Sequence, residues 1–266
     1  MINDEQFSNK ILHRSLKDMA NGVPRKEADS VPIEYRFNSH GYRCNEFNGQ
    51  EILTLGCSHT EGHGMPVELT WPYLISKKMN KDYINLAKGG DGVQAQVTKA
   101  FQFFEEFYNP KYIFAVLPIT RIEVPLIGMA TNNFSDNGIG KGMLSNSFIE
   151  KFSKYPHVAE KVLTEEFAIF YNSLFIKMLI AYCNSNNIKL IWTNYNDSSL
   201  SNDLFKNFRN GYFKDLYPNN ENLPECHSEF SNNKFFYHAA DYDYWPPGHW
   251  GFHKQLHIAE SIYIMI

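Results

Sequence analysis

The apolar positions of the chain fall into short continuous runs separated by longer stretches with a helical period. Residues 51–56 form the first clear strand pattern, an apolar run closed by glycine. Residues 70–79 predict a helix that Thr70 can cap, with Leu74, Ile75 and Met79 on one face. Residues 82–87 predict a second strand, ended by Gly89 and Gly90. Residues 93–108 predict a helix whose Phe101, Phe104, Phe107 and Tyr108 form a stripe expected in the core. The run 112–117 is apolar throughout, so both faces should be covered. Further on, 159–184 predicts the longest helix, 188–193 a strand, 235–237 a last short strand and 250–264 a closing helix.

Strands separated by helices specify a parallel sheet with helices on both faces, because each parallel crossover must leave the sheet and re-enter it. A length of 266 residues suits one such domain with insertions. Residues 1–35 mix charged and polar groups and read as a loosely structured N-terminal arm. Residues 36–266 read as a single α/β domain, with insertions at about 125–157 and 195–233 where Gly, Asn and Ser break the pattern.

Charge and cysteine content narrow the function classes. With 25 basic and 29 acidic side chains, and a net charge of −4, the chain has no polyanion-binding footprint, so no nucleic-acid partner is expected. No apolar run approaches the length of about 18 residues that a spanning helix needs, so no membrane partner is expected either. The start MINDEQFSNK has neither the basic residues nor the apolar stretch of a signal peptide, which points to a cytoplasmic location. Cys44, Cys57, Cys183 and Cys226 form no CxxC pair and are expected to be reduced thiols.

In a parallel α/β sheet, ligands gather at the carboxyl ends of the strands. Three loops there are unusual. Gly56-Cys-Ser-His-Thr-Glu-Gly62 follows the first strand, and its glycines permit a tight turn that leaves backbone N–H groups to donate. Ser58 thereby meets the needs of a serine nucleophile: exposure in a cleft, and donors aimed at a developing oxyanion. The competing reading is a structural or phosphate-cradling glycine loop, though no Lys-Ser/Thr pair marks a P-loop. Cys57 should point away from Ser58 and be buried. In Asn85-Leu-Ala-Lys-Gly-Gly-Asp-Gly92 the paired glycines suit either a second oxyanion donor or an ordinary strand-to-helix turn. The third loop, Asp241-Tyr-Asp-Tyr-Trp-Pro-Pro-Gly-His-Trp-Gly-Phe-His253, carries a histidine just before a helix with aspartates upstream. That arrangement suits a general base oriented by a carboxylate.

Other side chains have two readings each. His59 and His63, and His249, His253 and His257, are four apart, a spacing that binds zinc on a helix. The first pair spans a glycine loop and the trio has no carboxylate or thiolate partner, so no metal is expected and a metal-dependent hydrolase is the weaker alternative. His59 is instead expected to line the cleft. Arg43 and Arg121 either fork an anionic or sugar substrate or pair with Glu46 and Glu123. Tyr244, Trp245 and Trp250 either stack on a sugar or acyl group or form an apolar wall.

These motifs together resemble the SGNH/GDSL hydrolase superfamily, in a branch found in microbes and phages. Gly56–Gly62 resembles its first motif, which makes Ser58 the nucleophile; Phe37-Asn-Ser-His-Gly-Tyr-Arg43, Gly64-Met-Pro and Thr70-Trp-Pro extend the likeness on either side. Asn85 to Gly90 resembles the second motif, in which Gly90 lends an oxyanion N–H. His249-Trp-Gly, with Ala259 beyond it, resembles the final motif and its catalytic histidine. The likeness touches about 37–124 and 235–264. It implies a three-layer, flavodoxin-like α/β fold and a Ser–Asp–His triad without cofactor. The implied substrate is an ester, such as an O-acylated carbohydrate or another small acylated molecule.

Two positions depart from the family pattern. Where the third motif has asparagine, Leu117-Pro-Ile-Thr-Arg-Ile-Glu123 offers Thr120, with Arg121 beside it. Three residues before the histidine, where the family has aspartate, stands Pro246, so Asp243 is assigned the acid role with Asp241 in reserve. The alternative implied by these departures is a catalytically degenerate binding module or a virion structural module. Oligomeric state is not legible in the sequence.

Overall fold

The computed structural model describes residues 5–14, 33–118, 165–194 and 252–266. The strand expected at 235–237, both expected insertions and the first part of the helix expected at 159–184 lie outside these residues.

Two short strands, β1 (Ile11–Arg14) and β2 (Ile33–Arg36), pair antiparallel with Ile11 opposite Arg36. They fall in the segment read as a loosely structured arm. The alternation of Ile33 and Tyr35 with Glu34 and Arg36 gives β2 one buried and one exposed face, and Ile33, Tyr35 and Phe37 pack with Met65, Leu69, Phe252 and Leu256. The stretch adjoining the core is therefore part of it.

The central sheet contains β3 (Ile52–Gly56), β4 (Tyr83–Asn85), β5 (Tyr112–Leu117) and β6 (Lys189–Asn194), in the order β4-β3-β5-β6. All three pairings are parallel, with Gly56 beside Val116 and Leu117 beside Asn194 at the carboxyl ends. Side chains alternate between two cores. Leu53, Leu55, Ile84, Ile113, Ala115, Leu117, Leu190 and Trp192 face one helix layer; Ile52, Tyr83, Phe114, Val116 and Ile191 face the other. Burial on both faces explains the continuously apolar run of β5.

The first layer consists of α3 (Val93–Glu106) and α4 (Glu165–Ser185), which pack on each other. Phe104 of the expected aromatic stripe is buried, and Phe101, Phe107 and Tyr108 pack against the same core. The second layer is α2 (Trp71–Met79) and α5 (Phe252–Ile264), also in mutual contact. The result is a three-layer α/β/α fold with flavodoxin-like strand order, as the sequence implied. Among the described residues no helix is long and apolar enough to cross a membrane.

This strand order locates the site. From β3 the chain moves outward to β4, then returns across β3 to β5, so the connections leave β3 and β5 in opposite directions. A crevice opens where the order reverses, beyond the carboxyl ends of those two strands. Gly56 ends β3 at that point, and the loop holding Ser58 begins there.

Candidate active site

Ser58 is the first residue of α1 (Ser58–Glu61), a single turn placed directly after β3. The turn can start so abruptly because residue 56 is glycine. A Cβ there would lie 2.0 Å from Thr60 Oγ1, 2.6 Å from Thr60 Cβ and 3.0 Å from the Val116 carbonyl, inside contact distance of all three. Cys57 is fully buried, as expected from its opposing direction, while Ser58 retains 8% of its surface. His59, expected to line the cleft, is more buried than Ser58, at 3%.

The second loop is fastened to this turn by polar groups that the strand pattern does not reveal. Asn85, the last residue of β4, donates from Nδ2 to the Thr60 carbonyl at 3.0 Å. Its Oδ1 accepts from Thr54 Oγ1 and from the Ala87 N–H, both at 3.1 Å. The Gly89 N–H donates to Glu61 Oε2 at 2.6 Å. Gly89 approaches so closely that an added Cβ would meet Glu61 Oε2 at 3.2 Å and Ser58 Cβ at 3.7 Å. Gly90, the expected oxyanion donor, follows with φ +87°, and its N–H has no hydrogen-bond partner among the described residues.

A second chain of contacts fixes the base of the loop. Gln96 is fully buried in α3; its Oε1 accepts the Gly56 N–H at 2.8 Å and its Nε2 donates to Asp91 Oδ2 at 2.5 Å. Lys99 Nζ pairs with the same oxygen at 2.5 Å. One helix residue thus holds both the end of β3 and the loop after β4.

Arg43 fills neither role expected of it. Its guanidinium is buried and donates to the carbonyls of Gly62 at 2.6 Å, Met65 at 2.8 Å, Glu61 at 3.2 Å and Glu34 at 3.4 Å. It also lies 4.0 Å from the centre of the Tyr35 ring. Desolvation by burial pulls its pKa below the ordinary value, with the Tyr35 and Glu61 charges opposing. Glu46, the expected partner, instead accepts from Ser39 N–H and Oγ. Arg43 therefore clasps the loop after Ser58 by its backbone carbonyls.

The closing helix reaches the same corner. Gln255 of α5 donates from Nε2 to the His59 carbonyl at 2.9 Å and accepts the Trp71 N–H at 2.8 Å. Thr70 stands at the N-cap of α2 as expected, but its hydroxyl donates to the Val67 carbonyl, so Gln255 supplies the missing acceptor. Phe252, the first residue of α5, packs with Met65 and Leu69 just past the Ser58 turn.

Thr120, Arg121, Asp241, Asp243 and His249 lie outside the described residues. Of the expected site, the fold brings together Ser58, His59 and the Gly89–Gly90 loop. Sequence reasoning gave no role to Asn85, Glu61, Gln96 or Gln255; a polar residue closing an apolar strand was the available signal for Asn85. Among the described residues no cluster of three or more His, Cys, Asp or Glu is arranged to hold a metal ion. A cavity of about 600 Å³, lined by Arg36, Glu68, Lys77, Asp82 and Tyr83 among others, reaches the amino end of β4, away from Ser58.

No protein-family model matches the chain, and no curated protein does. Solved structures similar to it include a protein of the G-D-S-L family from Desulfitobacterium hafniense described as lipolytic. It shows 14% identity and TM-score 0.31 over 59% of this chain and 66% of that one. The psychrotrophic esterase EstA from Pseudoalteromonas matches at 12% identity and TM-score 0.38, over 80% of this chain and 94% of that one. A carbohydrate esterase family 2 enzyme with a carbohydrate-binding domain, from Corynascus thermopiles (Myceliophthora fergusii), matches at 13% identity and TM-score 0.32. There the match covers 64% of this chain and 55% of the other.

Proposed function

We propose that the chain is a serine-dependent ester hydrolase of the SGNH/GDSL type, acting on an O-acyl group of a carbohydrate or another small acylated molecule. One observation carries the reading. Ser58 opens a turn at the reversal of strand order, with Gly89 packed against its side chain and the neighbouring Gly90 N–H without an acceptor among the described residues.

In this reading Ser58 Oγ attacks the acyl carbonyl while His249 takes its proton. The N–H groups of Ser58 and Gly90, with Thr120 in place of the family's asparagine, hold the oxyanion. His249 passes the proton to the leaving alcohol, then draws one from water as that water attacks the acyl-enzyme. The products are a carboxylic acid and free Ser58. Asp243 orients the imidazole, and Arg121 and His59 contact the substrate. Support for His249 comes from α5, which begins three residues later and abuts the Ser58 turn through Gln255; three residues span at most about 10 Å.

The departures at Thr120 and Pro246 favour a second reading, a degenerate binding or virion structural module on the same fold. Hydrolysis of p-nitrophenyl esters and labelling by a fluorophosphonate separate the two. The esterase reading expects turnover and labelling of the wild type, with both abolished in Ser58→Ala. Equal background in both proteins, with neither labelled, overturns it in favour of the second.

A further inference from the structure

Lys88 is a buried cation immediately before the paired glycines of the second loop. Its Nζ donates to the Gly41 carbonyl and lies 4.6 Å from the ring centre of Phe7 and 5.1 Å from those of Phe37 and Tyr42. Three aromatic faces and one carbonyl, contributed by residues near the N-terminus, thus surround one ammonium. An alkyl chain would fill the same cage without the cost of removing a charge from water, so packing alone does not call for lysine. The charge adds a fixed end point: ring faces attract the cation and the carbonyl takes one of its protons.

What that end point controls follows from its neighbours. The Ala87 N–H is held by Asn85, and the Gly89 N–H is held by Glu61 on the Ser58 turn. Lys88, between them, is drawn toward the aromatic cage. Residues 87, 88 and 89 are each tied to a different partner, and the next N–H in the chain, at Gly90, has no acceptor among the described residues. We propose that Lys88 is a positioning residue: anchored in the Phe7–Phe37–Tyr42 cage, it opposes the pull of Glu61 on Gly89 and so sets the direction of the Gly90 N–H toward the oxyanion. The proposal rests on the esterase reading and deepens it.

The test uses the full chain and compares wild type with Ser58→Ala, Lys88→Met, Lys88→Arg and Phe7→Leu. Fluorophosphonate labelling is read as a rate: Ser58 Oγ displaces fluoride from phosphorus, and the phosphoryl oxygen takes the oxyanion position. Lys88→Met, shown to be folded by near-UV circular dichroism, is expected to label about tenfold more slowly or worse. Its kcat on p-nitrophenyl acetate should fall by a similar factor, with KM within about twofold of wild type. Lys88→Arg, which keeps the charge, should recover most of the rate, and Phe7→Leu should show a smaller loss. A folded Lys88→Met that labels at the wild-type rate, whatever its melting temperature, overturns the proposal and leaves the esterase reading standing. If Lys88→Met does not fold, Phe7→Leu decides, and an unchanged rate there overturns it equally. Wild type labelling no faster than Ser58→Ala overturns both.

Discussion

Gln255 and His59, 196 positions apart, are joined by a 2.9 Å hydrogen bond from the amide Nε2 to the backbone carbonyl. The same amide caps α2 at Trp71, so one buried side chain in the closing helix touches the Ser58 turn and the helix after it. Gln255→Leu keeps the bulk and removes the Gln255 hydrogen bonds to two buried backbone groups, each loss costing about 1–3 kcal/mol. The expected loss is about 2–4 kcal/mol, read as a lower urea midpoint at constant m. Lys189→Ala is the control: its contacts with the carbonyls of Met265 and Ile266 are exposed, and a shift within about 0.5 kcal/mol is expected. Equal effects of the two substitutions would remove Gln255 from its bridging role.

Gly56 and Gly49 separate steric from conformational requirements for glycine. At Gly56 the obstacle is Thr60, which is fully buried and accepts a hydrogen bond from Trp71 Nε1 at 3.3 Å, so it has no room to yield. Gly56→Ala should cost about 3 kcal/mol or more and displace the Ser58 turn. At Gly49 nothing lies within 4 Å, but φ is +73°, and Gly49→Ala should cost only about 1–2 kcal/mol. Thermal unfolding of both variants gives the comparison, and a milder effect at Gly56 would contradict the packing described.

The fold was largely legible because strands buried on two faces write themselves as continuous apolar runs. Tyr112–Leu117 is the clearest case. The Ser58 turn was legible from its bracketing glycines. Partners were not. Arg43 was read as a substrate fork or a surface ion pair because sequence shows side-chain charges, whereas its actual acceptors are backbone carbonyls, which every residue carries alike. Gln96 and Gln255 look like ordinary polar helix positions until the fold brings distant backbone groups to them. The strand Ile33–Arg36 carried a readable alternation, but four residues beside a charged stretch were too short to stand out.

Alkaline pH should destabilise the fold through two desolvated thiols. Desolvation pushes Cys44 and Cys183 up to about 12, from an ordinary value of 9.0, and raises Tyr83 as well. A group with a raised folded pKa loses its proton first in the unfolded chain, so stability is intact below pH 9 and falls as pH rises toward 12. Each thiol contributes a slope of about 1.4 kcal/mol per pH unit in that window. Urea midpoints at pH 8, 9.5 and 10.5 should therefore decline, and less steeply in Cys183→Ala. Native protein at pH 8 should also resist iodoacetamide at the buried Cys183, with labelling appearing in urea. Prompt alkylation of Cys183 in the folded chain would contradict its burial.

Asn85 gives the sharpest test of how the two site loops are joined. Its Nδ2 is the donor to the Thr60 carbonyl, while its Oδ1 serves as acceptor for Thr54 and Ala87. Asn85→Asp keeps the acceptor and replaces the donor with an ionised oxygen facing a carbonyl in a buried site, costing about 3 kcal/mol at neutral pH. Burial and that repulsion raise the folded pKa of the new carboxyl above its unfolded value of about 3.9. The folded state then binds the proton more tightly, so the penalty is full above the folded pKa and shrinks as pH falls through it. A protonated carboxyl can donate to Thr60 again. The gap in unfolding free energy between wild type and Asn85→Asp should accordingly narrow from pH 7.5 to pH 5, while the gap for Asn85→Leu stays constant. An Asn85→Asp gap that does not change with pH would mean that the Thr60 carbonyl is not the group the amide serves.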